Sequence, residues 1–255
     1  MTRIAICYWG MTRSTKFVYN SHIQNLYSVL KNNNIEYKIY MHTWEIENNT
    51  NIINQNICNI PIDYEEYRLL NPDVYKIEKQ QEFINNINFE NYFNEDLYKI
   101  HGDNPEYEWK PQLIRNHLCA LESQKRVYNM VLEDDIQYDF IMFIRPDVQI
   151  LNKFNVNWFN EKFDIMIPDT DHNEGLNDRF AIISFNKSFK YSTRIDEIID
   201  FRKNNGRIVS EKYVKFIINK YYANMKFIDF FMKIIRSNGS EYLQKNNFLV
   251  LDYKL

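Results

Sequence analysis

Five consecutive apolar residues, Phe140-Ile141-Met142-Phe143-Ile144, stand between Asp139 and Arg145-Pro146-Asp147 with no polar residue at alternate positions. A strand with one wet face alternates; one that does not is covered on both faces, as the central strands of α/β sheets are. Such a strand needs helices on either side, so this one run fixes the fold class before any other segment is read. A second apolar run, Phe163–Ile167, ends in Pro168, and a third spans Phe180–Phe185. With 255 residues, 45% of them hydrophobic and 16% aromatic, the chain can bury one large α/β domain around them.

The opening segment sets the direction of the sheet. Arg3–Trp9 reads as a buried strand ended by Gly10, and Ser14 to about Asn33 as a helix with Phe17, Ile23, Leu26, Tyr27 and Leu30 close to one face. Ser14 or Thr15 is its N-cap, and Asn32-Asn33-Asn34 ends it. Ile35, Tyr37, Ile39 and Met41 then alternate with polar residues, so strand, helix and strand form a βαβ unit and the sheet begins parallel. Further on, Tyr75-Lys76-Ile77-Glu78 predicts a short strand. Pro111 opens a helix with Leu113, Leu118, Leu121 and Val127 as its buried stripe. Ser210 is expected to cap a helix running to about Tyr222, and Lys226–Arg236 predicts one late strand ended by Asn238-Gly239. Residues 45–108, Asn-rich at 48–59 and 85–94, form a less regular annex. The expected architecture is a single domain over 1–255, a Rossmann-type three-layer α/β sandwich with a mostly parallel central sheet.

Several function classes drop out. The 31 Lys and Arg stand against 34 Asp and Glu, a net charge of −3, and no basic run marks a nucleic-acid surface. Only five glycines occur, and they build neither Gly-x-Gly-x-x-Gly nor a phosphate loop, which excludes a dinucleotide-type Rossmann enzyme and a P-loop ATPase. Cys7, Cys58 and Cys119 are far apart and include no Cys-x-x-Cys pair, so neither a disulfide framework nor a zinc knuckle is supported. Ile4–Trp9 is too short for a signal peptide, and no stretch approaches the ~18 apolar residues that span a bilayer. A reducing, cytoplasmic location without a transmembrane segment is expected.

In open α/β sheets, ligands bind beyond the carboxyl ends of the strands. Those ends here are Tyr8-Trp9-Gly10-Met11-Thr12-Arg13, His42-Thr43-Trp44, Arg145-Pro146-Asp147 and the loop Asp169–Arg179. Tyr8, Trp9 and Trp44 offer rings for a base or sugar, as does Trp109. The Gly10–Arg13 turn, at a helix start, offers amides and a guanidinium to an anion. Asp147, in a turn fixed by Pro146, suits Mg²⁺ or Mn²⁺ on a diphosphate. Asp169 and Asp171 suit metal or sugar hydroxyls, and Asp178 suits a base. The set fits a nucleotide-sugar. Glu133-Asp134-Asp135, by contrast, precedes the central strand and reads as a solvated turn at the opposite end.

Taken in order, these motifs resemble the small glycosyltransferases of GT-A type found in large DNA viruses of algae and amoebae and in bacterial surface-polysaccharide clusters. The matching residues are Tyr8–Arg13, His42-Thr43-Trp44, Tyr138–Asp147, Asn177-Asp178-Arg179-Phe180-Ala181, and Ser210-Glu211 leading to Arg236-Ser237-Asn238-Gly239. The resemblance implies a GT-A fold, a nucleoside-diphosphate sugar donor, expected to be UDP-linked, a glycan or glycoprotein acceptor, and a divalent Mn²⁺ or Mg²⁺. It implies hexosyl or deoxyhexosyl transfer, with residues 186–255 on the acceptor side, and for a viral chain the host cytoplasm. The family's Asp-x-Asp element falls on Arg145-Pro146-Asp147, where arginine replaces the first acid. Asp147 alone therefore carries over as a metal ligand, and Arg145 is itself a candidate to neutralise phosphate. An inverting enzyme needs a carboxylate to deprotonate the acceptor; Asp178 and Asp171 are the candidates, with Glu211 in reserve. A retaining one needs none. Two competing readings use the same residues: a nucleotidyltransferase or metal-dependent phosphohydrolase, and a non-catalytic carbohydrate-binding protein of the same fold.

Overall fold

The computed structural model describes residues 2–45, 63–93, 111–173, 175–205 and 208–241. Trp109, Cys58 and much of the expected annex lie outside the described residues. The central run becomes strand β4, Phe140–Ile144, in the middle of a seven-stranded sheet of order β3-β2-β1-β4-β7-β6-β8. Its companions are β1 (Arg3–Trp9), β2 (Glu36–Glu45), β3 (Val74–Lys79), β6 (Ile165–Pro168), β7 (Phe180–Ser184) and β8 (Met225–Ile228). Strands β1, β2, β3 and β4 pair in parallel, as do β6 and β8, whereas β7 runs antiparallel to both β4 and β6.

The pleat sorts the apolar side chains into two cores. From β1, Ala5, Cys7 and Trp9 enter one cluster while Ile4, Ile6 and Tyr8 enter the other. From β4, Ile141 and Phe143 enter the first cluster and Met142 and Ile144 the second. Both faces are therefore covered, which is why the run shows no alternation. At about 1.5–3 kcal/mol for each buried large apolar side chain, this strand is a main source of stability, and Phe143→Ala would cost about 3–5 kcal/mol.

Helices complete the three layers. Helix α1 (Thr15–His22) runs through a widened turn at Ile23–Tyr27 into α2 (Ser28–Asn32). In that turn the Asn25 carbonyl accepts from the Phe154 amide at 2.8 Å. The first cluster is covered by a long helix, Pro111–Leu132, whose buried positions include Ile114, Leu118, Leu121 and Val127, and by the helix Ser210–Tyr221. No helix among the described residues is long and apolar enough to cross a membrane.

Three sequence expectations need correction. The N-cap position of the Ser210–Tyr221 helix is Val209, and Ser210 is its first helical residue, with its hydroxyl on Glu211. Ser14 does hold the N-cap position of α1, but its hydroxyl makes no capping bond and donates instead to the Ile235 carbonyl at 2.7 Å. The segment Lys226–Arg236 is not one strand: β8 ends at Ile228, and β9 (Met232–Ile234) pairs instead with β5 (Val148–Ile150) in a separate two-stranded sheet. Asn152 makes the break, its amide donating to the Asp229 carbonyl and its side-chain oxygen accepting from the Phe231 amide, both at 2.7 Å. This small sheet lies where β4 turns, and so helps to build the site.

Candidate functional site

Strand β1 ends at Trp9, and Gly10 turns the chain at φ +98°, a left-handed conformation that side-chain-bearing residues rarely adopt. Its amide donates to Ser123 Oγ of the long helix at 2.8 Å. Arg13 is thereby delivered over the end of β4. The β4 turn is held from several sides: the Arg145 amide donates to the Arg179 carbonyl at 3.2 Å, and the Ile235 amide to the Asp147 carbonyl at 2.9 Å. Thr15 Oγ1 reaches the Pro146 carbonyl at 3.4 Å.

Beneath this turn lies a buried polar chain. His22 Nε2 donates to the Val148 carbonyl at 2.7 Å, so its Nδ1 is the acceptor and takes the Tyr8 hydroxyl proton at 2.8 Å. The Tyr27 hydroxyl donates in turn to that of Tyr8 at 2.8 Å. Burial lowers the His22 pKa to about 4, so the ring is neutral at physiological pH.

At the centre is Asp147, 3% exposed. Arg145 binds it bidentately, Nε to Oδ1 at 2.9 Å and Nη2 to Oδ2 at 2.7 Å, and Arg13 Nη2 reaches Oδ2 at 3.3 Å. Burial alone would raise the Asp147 pKa, but the charges of Arg145, Arg13 and Arg236, with the Arg145 hydrogen bonds, bring it down to about 2. Arg145 likewise stays protonated: its desolvation is outweighed by Asp147 and, more weakly, by Asp178 and Glu211.

The acidic loop supplies the other wall. His172 Nδ1 accepts the Asn177 amide at 3.3 Å, so its Nε2 donates to Asp169 Oδ1 at 3.2 Å. The Asp171 carboxylate pairs with Arg179 Nη1 at 2.6 Å. Gly175 packs so closely that a Cβ there would lie 2.0 Å from the Glu211 carbonyl carbon, and the Leu176 amide donates to the Glu211 carbonyl at 3.0 Å. The loop is thus fastened to the start of the Ser210–Tyr221 helix. Glu211 accepts from Asn173 Nδ2 and Ser210 Oγ, each at 2.8 Å, and its pKa is raised by burial and then by the neighbouring Asp178 charge.

The structure brings Arg13, Arg145, Asp147 and Asp178 to one region, together with Gly10. Glu211, the reserve base, and Arg236 act on the same groups, and the structure adds His117, whose pKa burial lowers to about 4 with Asp178, Arg194 and Arg145 acting on it. The aromatic candidates are placed differently. Tyr8 is 0% exposed, and Trp44 is 2% exposed with its indole N–H on the Cys119 carbonyl at 2.9 Å. Trp9 is also buried. These rings are core side chains, sealed by their neighbours, and leave no free face to a ligand. His42, before Trp44, links Ser123 Oγ at 2.7 Å to Glu78 at 2.8 Å. A sequence signal for His117 did exist: it stands three residues after Ile114 and one before Leu118, beside the buried stripe of its helix.

Asp147 is where the expected divalent cation would sit. Both of its oxygens already accept from guanidinium groups, and the Arg145 guanidinium stands where the first acid of the element would be. Among the described residues no three His, Cys, Asp or Glu side chains come together as a metal cluster. The donor set does not fit Mg²⁺ or Mn²⁺, which take carboxylate oxygens.

No protein-family model and no curated protein sequence matches the chain. Solved structures do. Core-mannan synthase A from Aspergillus fumigatus, in its Mn/GDP form, superposes with a TM-score of 0.50 at 10% identity over 92% of this chain and 75% of its own. The apo-form glycosyltransferase GlyE of Streptococcus pneumoniae TIGR4 superposes with a TM-score of 0.44 at 11% identity, over 90% of this chain and 46% of its own. The chain thus spans about half the length of GlyE. At such identities the likeness is one of fold. The mostly parallel seven-stranded sheet is the GT-A glycosyltransferase architecture.

Proposed function

We propose that the chain transfers a hexosyl or deoxyhexosyl group from a nucleoside-diphosphate sugar, UDP-linked, to a glycan or glycoprotein acceptor. One observation carries this reading: guanidinium groups of Arg13 and Arg145 converge on a single buried carboxylate beyond the end of β4, with Asp178 and Glu211 near enough for their charges to act on Arg145. A donor diphosphate needs cationic hydrogen-bond donors fixed in advance, because charge grows on the leaving nucleoside diphosphate as the glycosidic bond breaks. Arg145 and Arg13 are fixed by Asp147 in this way. The acceptor hydroxyl needs a base if configuration inverts. Asp178 fills that role, with Glu211 beside it; a carboxyl whose pKa is raised holds a proton more readily than an ordinary one. Asp171, taken by Arg179, serves as a brace for the loop.

Incubation with a panel of UDP- and GDP-sugars, with donor hydrolysis and transfer to oligosaccharides followed by mass spectrometry, tests the reading. Release of the nucleoside diphosphate from at least one donor is expected, with a raised melting temperature in the presence of that nucleotide. Neither hydrolysis nor a melting shift with any donor would overturn it. Consumption of a nucleoside triphosphate in the same panel would favour a nucleotidyltransferase instead.

A further inference from the structure

We infer that the donor diphosphate is held by the guanidinium groups of Arg13 and Arg145, with Asp147 as the group that positions them, and without a divalent cation. This rests on the donor reading above and concerns how that site works.

Three observations point the same way. The first is occupancy of the Asp147 carboxylate. A metal ligand must offer a lone pair to the ion, yet Oδ1 accepts from Arg145 Nε at 2.9 Å and Oδ2 from Arg145 Nη2 at 2.7 Å and Arg13 Nη2 at 3.3 Å. These are charge-assisted bonds, one pair of them bidentate, in a place where the carboxylate side chain is 4% exposed. Turning Asp147 toward a cation would leave partly buried guanidinium groups without their counter-charge, at a cost.

The second is repulsion. A dication at this carboxylate would sit beside Arg145 and Arg13, both positively charged, where low exposure weakens screening. An anion in the same place is attracted by the same groups. Arg145 commits Nε and Nη2 to Asp147, and Arg13 commits Nη2, so Nη1 of each has no protein acceptor among the described residues. Their side chains are 22% and 17% exposed, open enough to reach a ligand.

The third is charge balance. Three arginines act on Asp147, namely Arg145, Arg13 and Arg236, so the group carries three positive charges and one negative. With Asp178 acting on Arg145 as well, the positive groups still outnumber the negative ones, which is the sign a diphosphate requires. Asp178 and Glu211 act on Arg145 from the other wall. Burial and Asp178 push Glu211 toward its neutral form, which limits that opposition.

The test is calorimetric binding of UDP and GDP to the full chain, once with excess EDTA and once with Mn²⁺. Binding in EDTA is expected, with Mn²⁺ changing the Kd by less than about fivefold. Arg145→Lys keeps the charge but loses the bidentate fork; it should weaken binding in EDTA by about tenfold or more while the chain still unfolds cooperatively. Tightening by Mn²⁺ beyond about fivefold, or undiminished binding by Arg145→Lys, would overturn this inference and leave the donor reading standing. No binding of either nucleotide in either buffer would instead overturn the donor reading itself.

Discussion

Replacing His22 by glutamine should remove a large part of the protein's acid sensitivity. The His22 ring is fully buried, donates from Nε2 to the Val148 carbonyl and accepts from Tyr8 at Nδ1. A proton added at Nδ1 would place a second donor against the Tyr8 hydroxyl, whose own proton would then lose its acceptor. The folded ring therefore titrates at about 4 rather than 6.5, chiefly because of burial. The unfolded chain takes its proton first as pH falls. Stability from this group is thus full above pH 6.5, is lost between 6.5 and about 4, and changes no further below that. A tenfold difference in proton affinity is worth about 1.4 kcal/mol, so the loss between pH 7 and pH 4.5 is about 2 kcal/mol. Glutamine retains a donor for Val148 and an acceptor for Tyr8 but does not titrate. Urea unfolding of the wild type and His22→Gln at both pH values isolates this contribution, since every other titrating group, His117 and His42 included, is common to the two. The wild type should lose about 2 kcal/mol more, roughly 1 M in urea midpoint for an m-value of about 2 kcal/mol/M. Parallel losses in the two proteins would refute the reasoning.

Three further outcomes are expected. Asp147→Asn removes the counter-charge of Arg145 and Arg13. A carboxyl held down at about 2 sets a lower figure of about 2 kcal/mol at pH 7, and loss of one partner of a buried pair raises it to about 3–5 kcal/mol. A urea-unfolding change below about 1 kcal/mol would contradict the network. Gly175→Ala places a methyl group 2.0 Å from the backbone of Glu211 and 2.4 Å from that of Lys212; neither can rotate away, and a loss of about 2–3 kcal/mol is expected by thermal or urea unfolding. Asp178→Asn should lower transfer about 100-fold or more. It also removes a charge that raises the Glu211 pKa, so the acid limb of the residual pH–rate profile should move to lower pH. An unmoved limb and undiminished rate would take Asp178 out of the mechanism.

Strand positions are legible because apolar runs are local: β1, β4 and β7 fall on the segments read from sequence. The antiparallel course of β7 is not, since Phe180–Ser184 is buried at four of its five positions and such a run carries no mark of direction. Nor is the division between β8 and β9, which depends on Asn152, a residue on a distant segment that turns the chain at Asp229 and Phe231. The aromatics mislead for a related reason. A tryptophan after a strand reads alike whether its ring lies open or is sealed, and Trp44 is sealed by the Arg126 guanidinium 4.8 Å above it and Phe83 stacked at 5.8 Å.

The site shows the same limit at the level of charge. Arg145-Pro146-Asp147 gives one acid and one base at a strand end, and sequence spacing alone leaves Asp147 free to bind a metal. Its bond to Arg145 is local, two residues apart, but Arg13 and Arg236 arrive from the first and last parts of the fold. They arrive because β9 pairs with β5, the Ile235 amide grips the Asp147 carbonyl, and Ser14 grips the Ile235 carbonyl. The sign of the site is therefore set by tertiary pairing. A single carboxylate bonded by two guanidinium groups, with the Arg236 charge acting on it too, presents an anion site, whereas the same carboxylate without them would present a cation ligand.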